Sequence, residues 1–168
     1  PILEQQLDTL IGFANYPEDK ATLQRIIESL NEQTPKESYA RARGYQALSM
    51  ALGDNNTDAA LALVDNYLQD PGIQATPAAI AELLAVKAEI YQHKNEISKA
   101  VELIPLIEQQ LSTVTSSRTR YYAHNVAGRA LQTNRQFELS LEHFLAAHAA
   151  IRNTDDINTQ RRRQFLNL

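Results

Sequence analysis

The chain has 168 residues, of which 43% are hydrophobic and 21% are charged, and its formal net charge is −4. These values are typical of a domain large enough to bury a core, and the slight excess of acid argues against nucleic-acid binding, which needs clustered Lys and Arg. The chain has no cysteine, which excludes a disulfide framework, a thiolate metal site and a cysteine nucleophile.

Helix-forming residues run along the whole chain, and no segment alternates apolar and polar residues as a strand does. Thr-Pro-Lys-Glu at 34–37 is typical of a capped helix start with proline at the first helical position, and Thr-Pro at 76–77 repeats the signal. Turns are expected at 53–56 and 70–72, where Gly, Asn and Pro cluster. Pro105 falls inside a predicted helix and should kink or break it.

These signals predict one all-α domain over residues 1–168. Because the linkers are short, neighbouring helices should pack as antiparallel hairpins. The predicted helices lie near 2–15, 17–31, 35–52, 56–69, 77–94, 96–113, 116–133, 136–152 and 155–168. They pair as hairpins at about 2–31, 35–69, 77–113 and 116–152, with 155–168 as a terminal helix.

A pattern of small and apolar residues recurs at a constant interval along the chain, and its last copy is the clearest. That copy consists of Gly128, Phe137, Ser140, Phe144 and Ala147, and the positions equivalent to 128 in the earlier copies are 88 and 48. It resembles the tetratricopeptide repeat (TPR), in which a small residue on the first helix lets the second approach closely. The resemblance implies a right-handed TPR-like α-solenoid, with Gly128 facing Ser140 and Phe144. Since the usual unit has about 34 residues and the interval here is longer, the linkers or helices must be extended.

A narrower resemblance is to the TPR-like sensor region that precedes GGDEF domains in bacterial membrane-bound diguanylate cyclases. The stretches that carry it are 43–45, 57–63 and 85–100, the last with Tyr91. The resemblance implies a periplasmic module tethered through a following transmembrane helix. The GGDEF motif is absent from this chain, so no cyclase residue is assigned.

Catalytic and metal-binding patterns are missing. The four histidines, at 93, 124, 143 and 148, contain no pair at the i, i+4 spacing of a helical metal site. No glycine-rich phosphate loop and no Gly-x-Ser-x-Gly motif occur. We therefore expect structural histidines, no catalytic residue, no metal and no cofactor.

The first helices of a solenoid line its concave face, which is a frequent binding surface. Placing the repeat residues inward leaves a set of polar and aromatic residues facing the groove, namely Tyr45, Ser49, Glu82, Glu89, Tyr122, Asn125, Arg129 and Arg162. Asn125 and Arg129 lie one turn apart, so they can jointly hold a carboxylate or a peptide carbonyl.

The sequence thus favours a non-catalytic module that binds a protein, a peptide or a small ligand. Two alternatives stay open: a cytoplasmic TPR scaffold that recognises a peptide or regulator, and an all-helical enzyme with a pocket assembled by the superhelix.

Overall fold

The computed structural model describes residues 3, 5, 6 and 20–152, and these residues form helices and turns with no strand. The prediction of an all-helical fold is confirmed for this part of the chain. Residues 20–152 form nine α-helices: α1 (Lys20–Ser29), α2 (Lys36–Leu48), α3 (Thr57–Leu68), α4 (Pro71–Gln74), α5 (Pro77–His93), α6 (Ile97–Glu102), α7 (Ile104–Leu111), α8 (Ser117–Thr133) and α9 (Phe137–Arg152).

The predicted boundaries agree with these helices to within a few residues from α2 to α9. The exception is α4, a single helical turn that replaces a predicted loop. Its start is fixed by Asp70, whose carboxylate accepts hydrogen bonds from the backbone N–H groups of Gly72 and Ile73. The turn buries Ile73 completely. The predicted helix at 155–168, and nearly all of that at 2–15, lie outside the described residues.

Pro105 divides the predicted helix at 96–113, as expected. The first segment, α6, ends at Glu102, and Pro105 lies in the first turn of α7. Proline has no N–H to donate, so it is tolerated in a first turn, where the N–H groups have no partner within the helix.

The turns between paired helices recur at the interval of the sequence repeat. Asn55, Asn95 and Arg135 are evenly spaced along the chain, and all have positive φ, at 53°, 62° and 61°. After α5 the N–H of Glu96 bonds the carbonyl of Tyr91, and one repeat later Gln136 bonds Leu131 in the same way, both at 2.9 Å. The sequence repeat therefore corresponds to a repeat in backbone geometry.

The first of these turns differs because α2 continues as a π-helix, Ser49–Gly53, rather than ending at Leu48. The wider turn inserts one extra residue into the helix. The extra residue accounts for the spacing of the helix starts, which lie at Lys36 for α2, Pro77 for α5 and Ser117 for α8. The interval from α2 to α5 is one position longer than the interval from α5 to α8.

Helix α5 lies at the centre of the fold and packs against both α2 and α8. The second helices form another row, in which α3 packs on α2 and α5, and α9 packs on α8. The helices enclose two apolar cores. One contains Ala47, Val64 and Leu83, and the other contains Ala85, Ile107 and Val126.

Gly128 lies at a close contact between α8 and α9, as the repeat pattern predicted. A Cβ atom placed on Gly128 would come within 2.8 to 3.0 Å of three ring atoms of Phe144. Ser140 Oγ donates a 2.8 Å hydrogen bond to the carbonyl oxygen of Gly128. A second close approach was not predicted: a Cβ atom on Gly44 would lie 2.8 Å from Cγ2 of Val86, where α2 meets α5.

Candidate functional site

Three of the predicted groove residues, Tyr45, Ser49 and Glu82, are buried rather than exposed. Tyr45 is 2% exposed and packs with Leu23 and Ile26, because α1 covers that face of α2. Ser49 is 5% exposed and lies in the π-helical turn. Neither side chain offers a surface to a partner, so the prediction that they line an open groove is corrected for these two positions.

Glu82 is 3% exposed, so its predicted position in an open groove is corrected as well. It lies in a polar cluster that joins α2, α5 and α8. Arg41 Nη2 lies 3.0 Å from Oε1 of Glu82 and 3.0 Å from Oε1 of Glu37. The hydroxyl of Thr119 contacts the same two oxygens at 2.9 and 2.8 Å. The three long helices are therefore connected by charge-assisted hydrogen bonds in addition to their apolar contacts.

Glu37 is ionised within this cluster. Burial alone would raise the pKa of its carboxyl group, but hydrogen bonds from Ser116 and Thr119 and the charge of Arg41 outweigh that effect and lower it. All of these donors contact Oε1. With Glu82 and Arg41, the cluster thus holds two carboxylates and one guanidinium.

A shallow pocket of about 300 Å³ opens beside the cluster. It lies between the start of α5, at residues 76–78, and the loop at 113–116, and Glu37 also lines it. The lining is small and partly polar, and sequence reasoning did not identify it.

Four of the predicted groove residues come together on α5 and α8. The hydroxyl of Tyr122 donates a 2.6 Å hydrogen bond to Oε2 of Glu89, and Arg129 Nη2 contacts Oε1 of Glu89 at 3.2 Å. Asn125 lies on the same face of α8, about one turn from both Tyr122 and Arg129. We call Glu89, Tyr122, Asn125 and Arg129 the α5–α8 surface.

The members of the α5–α8 surface differ in their availability. Burial raises the pKa of Tyr122 well above its usual value, and the neighbouring Glu89 carboxylate raises it further, so the phenol keeps its proton. Arg129 has 46% of its side chain exposed. Asn125 is a partly exposed residue, and its side chain makes no hydrogen bond within the part of the chain that the structure describes. Hydrogen-bonding capacity thus remains at Asn125 and Arg129.

A histidine pair lies at the junction of α7, α8 and α9. The Nδ1 atoms of His124 and His143 are 3.0 Å apart, and Nε2 of His143 lies 2.9 Å from a carboxylate oxygen of Glu108. Burial lowers the pKa of His124 to about 4, and the charges of His143 and Arg120 contribute to the same shift. Both side chains are buried, which agrees with the expectation that His124 and His143 are structural. Their contact could not be seen in the sequence, because it joins two different helices.

Within residues 20–152 no three His, Asp or Glu side chains converge on a point where a metal ion could sit. None of the helices there combines the length and the apolar character that crossing a bilayer requires.

The last predicted groove residue, Arg162, lies outside the described residues. Comparisons with protein-family models, with curated proteins and with solved structures find no match. Any inference about function therefore rests on the residues of this chain.

Proposed function

We propose that this chain is a non-catalytic binding module, a right-handed TPR-like solenoid that holds a segment of a protein or peptide on the α5–α8 surface. The observation that carries the proposal is that Asn125, which is partly exposed, and Arg129, which is exposed, lie on one face of α8. The even recurrence of the positive-φ turns supports the solenoid.

The chemistry of this surface favours a peptide backbone over a free anion. Glu89 already contacts Arg129 and offsets its charge. The remaining N–H groups of Arg129 can still donate to a carbonyl, and the Asn125 amide can both donate and accept, as a peptide group requires. A second carboxylate would meet Glu89 nearby and be repelled.

The module is further proposed to be the extracytoplasmic sensor region of a membrane-bound GGDEF signalling protein. What supports this is the resemblance of segments 43–45, 57–63 and 85–100.

Labelling of intact cells tests that placement. This chain has no cysteine, so a full-length protein in which every cysteine outside the chain is replaced by serine can carry a single cysteine at the exposed Ser98, which is then labelled selectively. A membrane-impermeant maleimide should label it before lysis. Labelling only after lysis would place the module in the cytoplasm.

A random dodecapeptide phage library is the probe for binding. Enriched peptides should bind the wild-type protein and lose about tenfold in affinity, or about 1.4 kcal/mol, with either Asn125→Ala or Arg129→Ala. Arg152→Ala, an exposed arginine on α9, is the matched control and should bind as wild type. Amidating the peptide C-terminus should change affinity little, since backbone groups are recognised. Peptides that bind all three variants equally would refute the site.

A further inference from the structure

The outer side of α9 carries an apolar stripe. Phe137, Leu141 and Leu145 follow one another at every fourth position, so they lie on one face of the helix. They are 63%, 58% and 59% exposed. Large side chains exposed in a continuous row usually mark a surface that another element covers.

The position that corresponds to Leu141 is covered in the earlier hairpins. Val101 and Leu61 lie one and two repeats before Leu141, and both are partly buried against the apolar cores. In those hairpins the next long helix packs on the second one: α5 on α3, and α8 on α6. Among the described helices, α9 packs extensively on α8 alone. The stripe is therefore the place where a following helix would pack.

We propose that residues 153–168 of this chain cover the stripe. The spacing of the long helices supports this occupant. They begin at 36, 77 and 117, so the next long helix would begin near position 157, inside this segment. From there the sequence offers Ile157, Phe165 and Leu168 as apolar partners.

Charge supports the same occupant. Glu138 and Glu142 are exposed on α9 beside the stripe. The segment carries Arg161, Arg162 and Arg163, so docking would bring opposite charges together.

Crosslinking in the full chain tests the proposal. Leu141→Cys is combined with Phe165→Cys, and a short bismaleimide is added. The matched control is Leu139→Cys with Phe165→Cys: Leu139 is also exposed, at 46%, but lies about 160° from Leu141 around the helix. We expect an intramolecular crosslink at least five times more abundant in the Leu141 pair. Equal yields in the two pairs, or a crosslinked dimer formed by the Leu141 pair, would overturn the proposal, and the dimer would indicate a second copy as the occupant.

Limited trypsin digestion gives an independent readout. If the segment is docked, cleavage at Arg161 to Arg163 should be slow in the wild-type chain and about tenfold faster in Leu145→Asp. Leu139→Asp should cleave like wild type. Identical rates in all three proteins would contradict docking on the stripe.

Discussion

The guanidinium of Arg41 lies 3.0 Å from the carboxylate of Glu82, and only 5% and 3% of the two side chains are exposed. The pair connects α2 to α5, and Glu37 shares the same guanidinium nitrogen. Removing one member of a buried ion pair leaves the other charge without compensation, which costs more than the pair itself contributes.

Arg41→Leu should accordingly lower the free energy of unfolding by about 3 kcal/mol or more. Arg129→Leu is the control. The side chain of Arg129, which pairs with Glu89, is 46% exposed, so the loss should stay within about 1 kcal/mol. Urea denaturation of both variants measures the difference. Equal small losses would show that the Arg41 cluster is solvated in solution.

The repeated turns predict a stabilising substitution. Asn occupies the positive-φ position at 55 and 95, whereas Arg135 occupies the third. Glycine and asparagine adopt this conformation more readily than other residues. Arg135→Asn and Arg135→Gly should therefore each stabilise the protein by about 0.5 to 1 kcal/mol, and the reverse change, Asn95→Arg, should destabilise it by a similar amount. Denaturation midpoints that do not move in opposite directions would contradict the geometry.

Gly128 predicts a dependence on Phe144. In Gly128→Ala the methyl group must displace the ring, and a gain in helix propensity of about 1 kcal/mol offsets part of this cost. We expect a net loss of about 1 kcal/mol for Ala, and about 3 kcal/mol or more for Leu. In a Phe144→Leu background the Ala substitution should become neutral or stabilising. A double-mutant cycle with no coupling would show that the contact with the ring is not what restricts position 128.

The histidine pair predicts a pH dependence of stability. Above about pH 7.5, one pH unit over the ordinary histidine pKa, His124 is neutral in both the folded and unfolded states and contributes almost nothing. As the pH falls towards 4, the unfolded state takes up a proton that the folded state does not, because the folded pKa is about 4. Stability is therefore lost across that window, by about 1 to 2 kcal/mol between pH 7 and pH 5.

Carboxylates also titrate at low pH, so the contribution of His124 has to be separated from theirs. Substitution of His124, with His148 as the control, does this. His124→Leu should show a smaller loss of unfolding free energy between pH 7 and pH 5 than the wild-type protein. His148→Leu, which replaces an exposed histidine on α9, should show the wild-type loss. Equal losses in all three proteins would mean that His124 is not kept neutral.

Much of the fold could be predicted from the sequence because its signals are local. Proline at residues 77 and 105 marks the starts of α5 and α7, and the offsets around Gly128 identify the α8–α9 contact. The site was harder to predict. Tyr45 has the spacing of a groove residue, but its exposure depends on α1, whose packing the repeat pattern does not describe.

The polar cluster and the histidine pair could not be predicted, because they depend on which turns of different helices lie side by side. Arg41 meets Glu82 on another helix, and His124 meets His143 in the same way. A shift of one helical turn, about 5.4 Å, would separate either pair, and helix-level patterns do not fix packing to that accuracy. More of the α5–α8 surface could be predicted, because the helix spacing places Tyr122, Asn125 and Arg129 on one face of α8.

The central claim is that Asn125 and Arg129 hold a peptide backbone, and side-chain NMR tests it most directly. ¹⁵N-labelled protein is titrated with the best peptide from the phage library, and the Asn125 Nδ2 and Arg129 Nε signals are followed. We expect both to shift with one common dissociation constant, and the Asn125→Ala variant to weaken binding measured at Arg129. Saturating peptide that leaves both signals in place while it shifts others would contradict the claim.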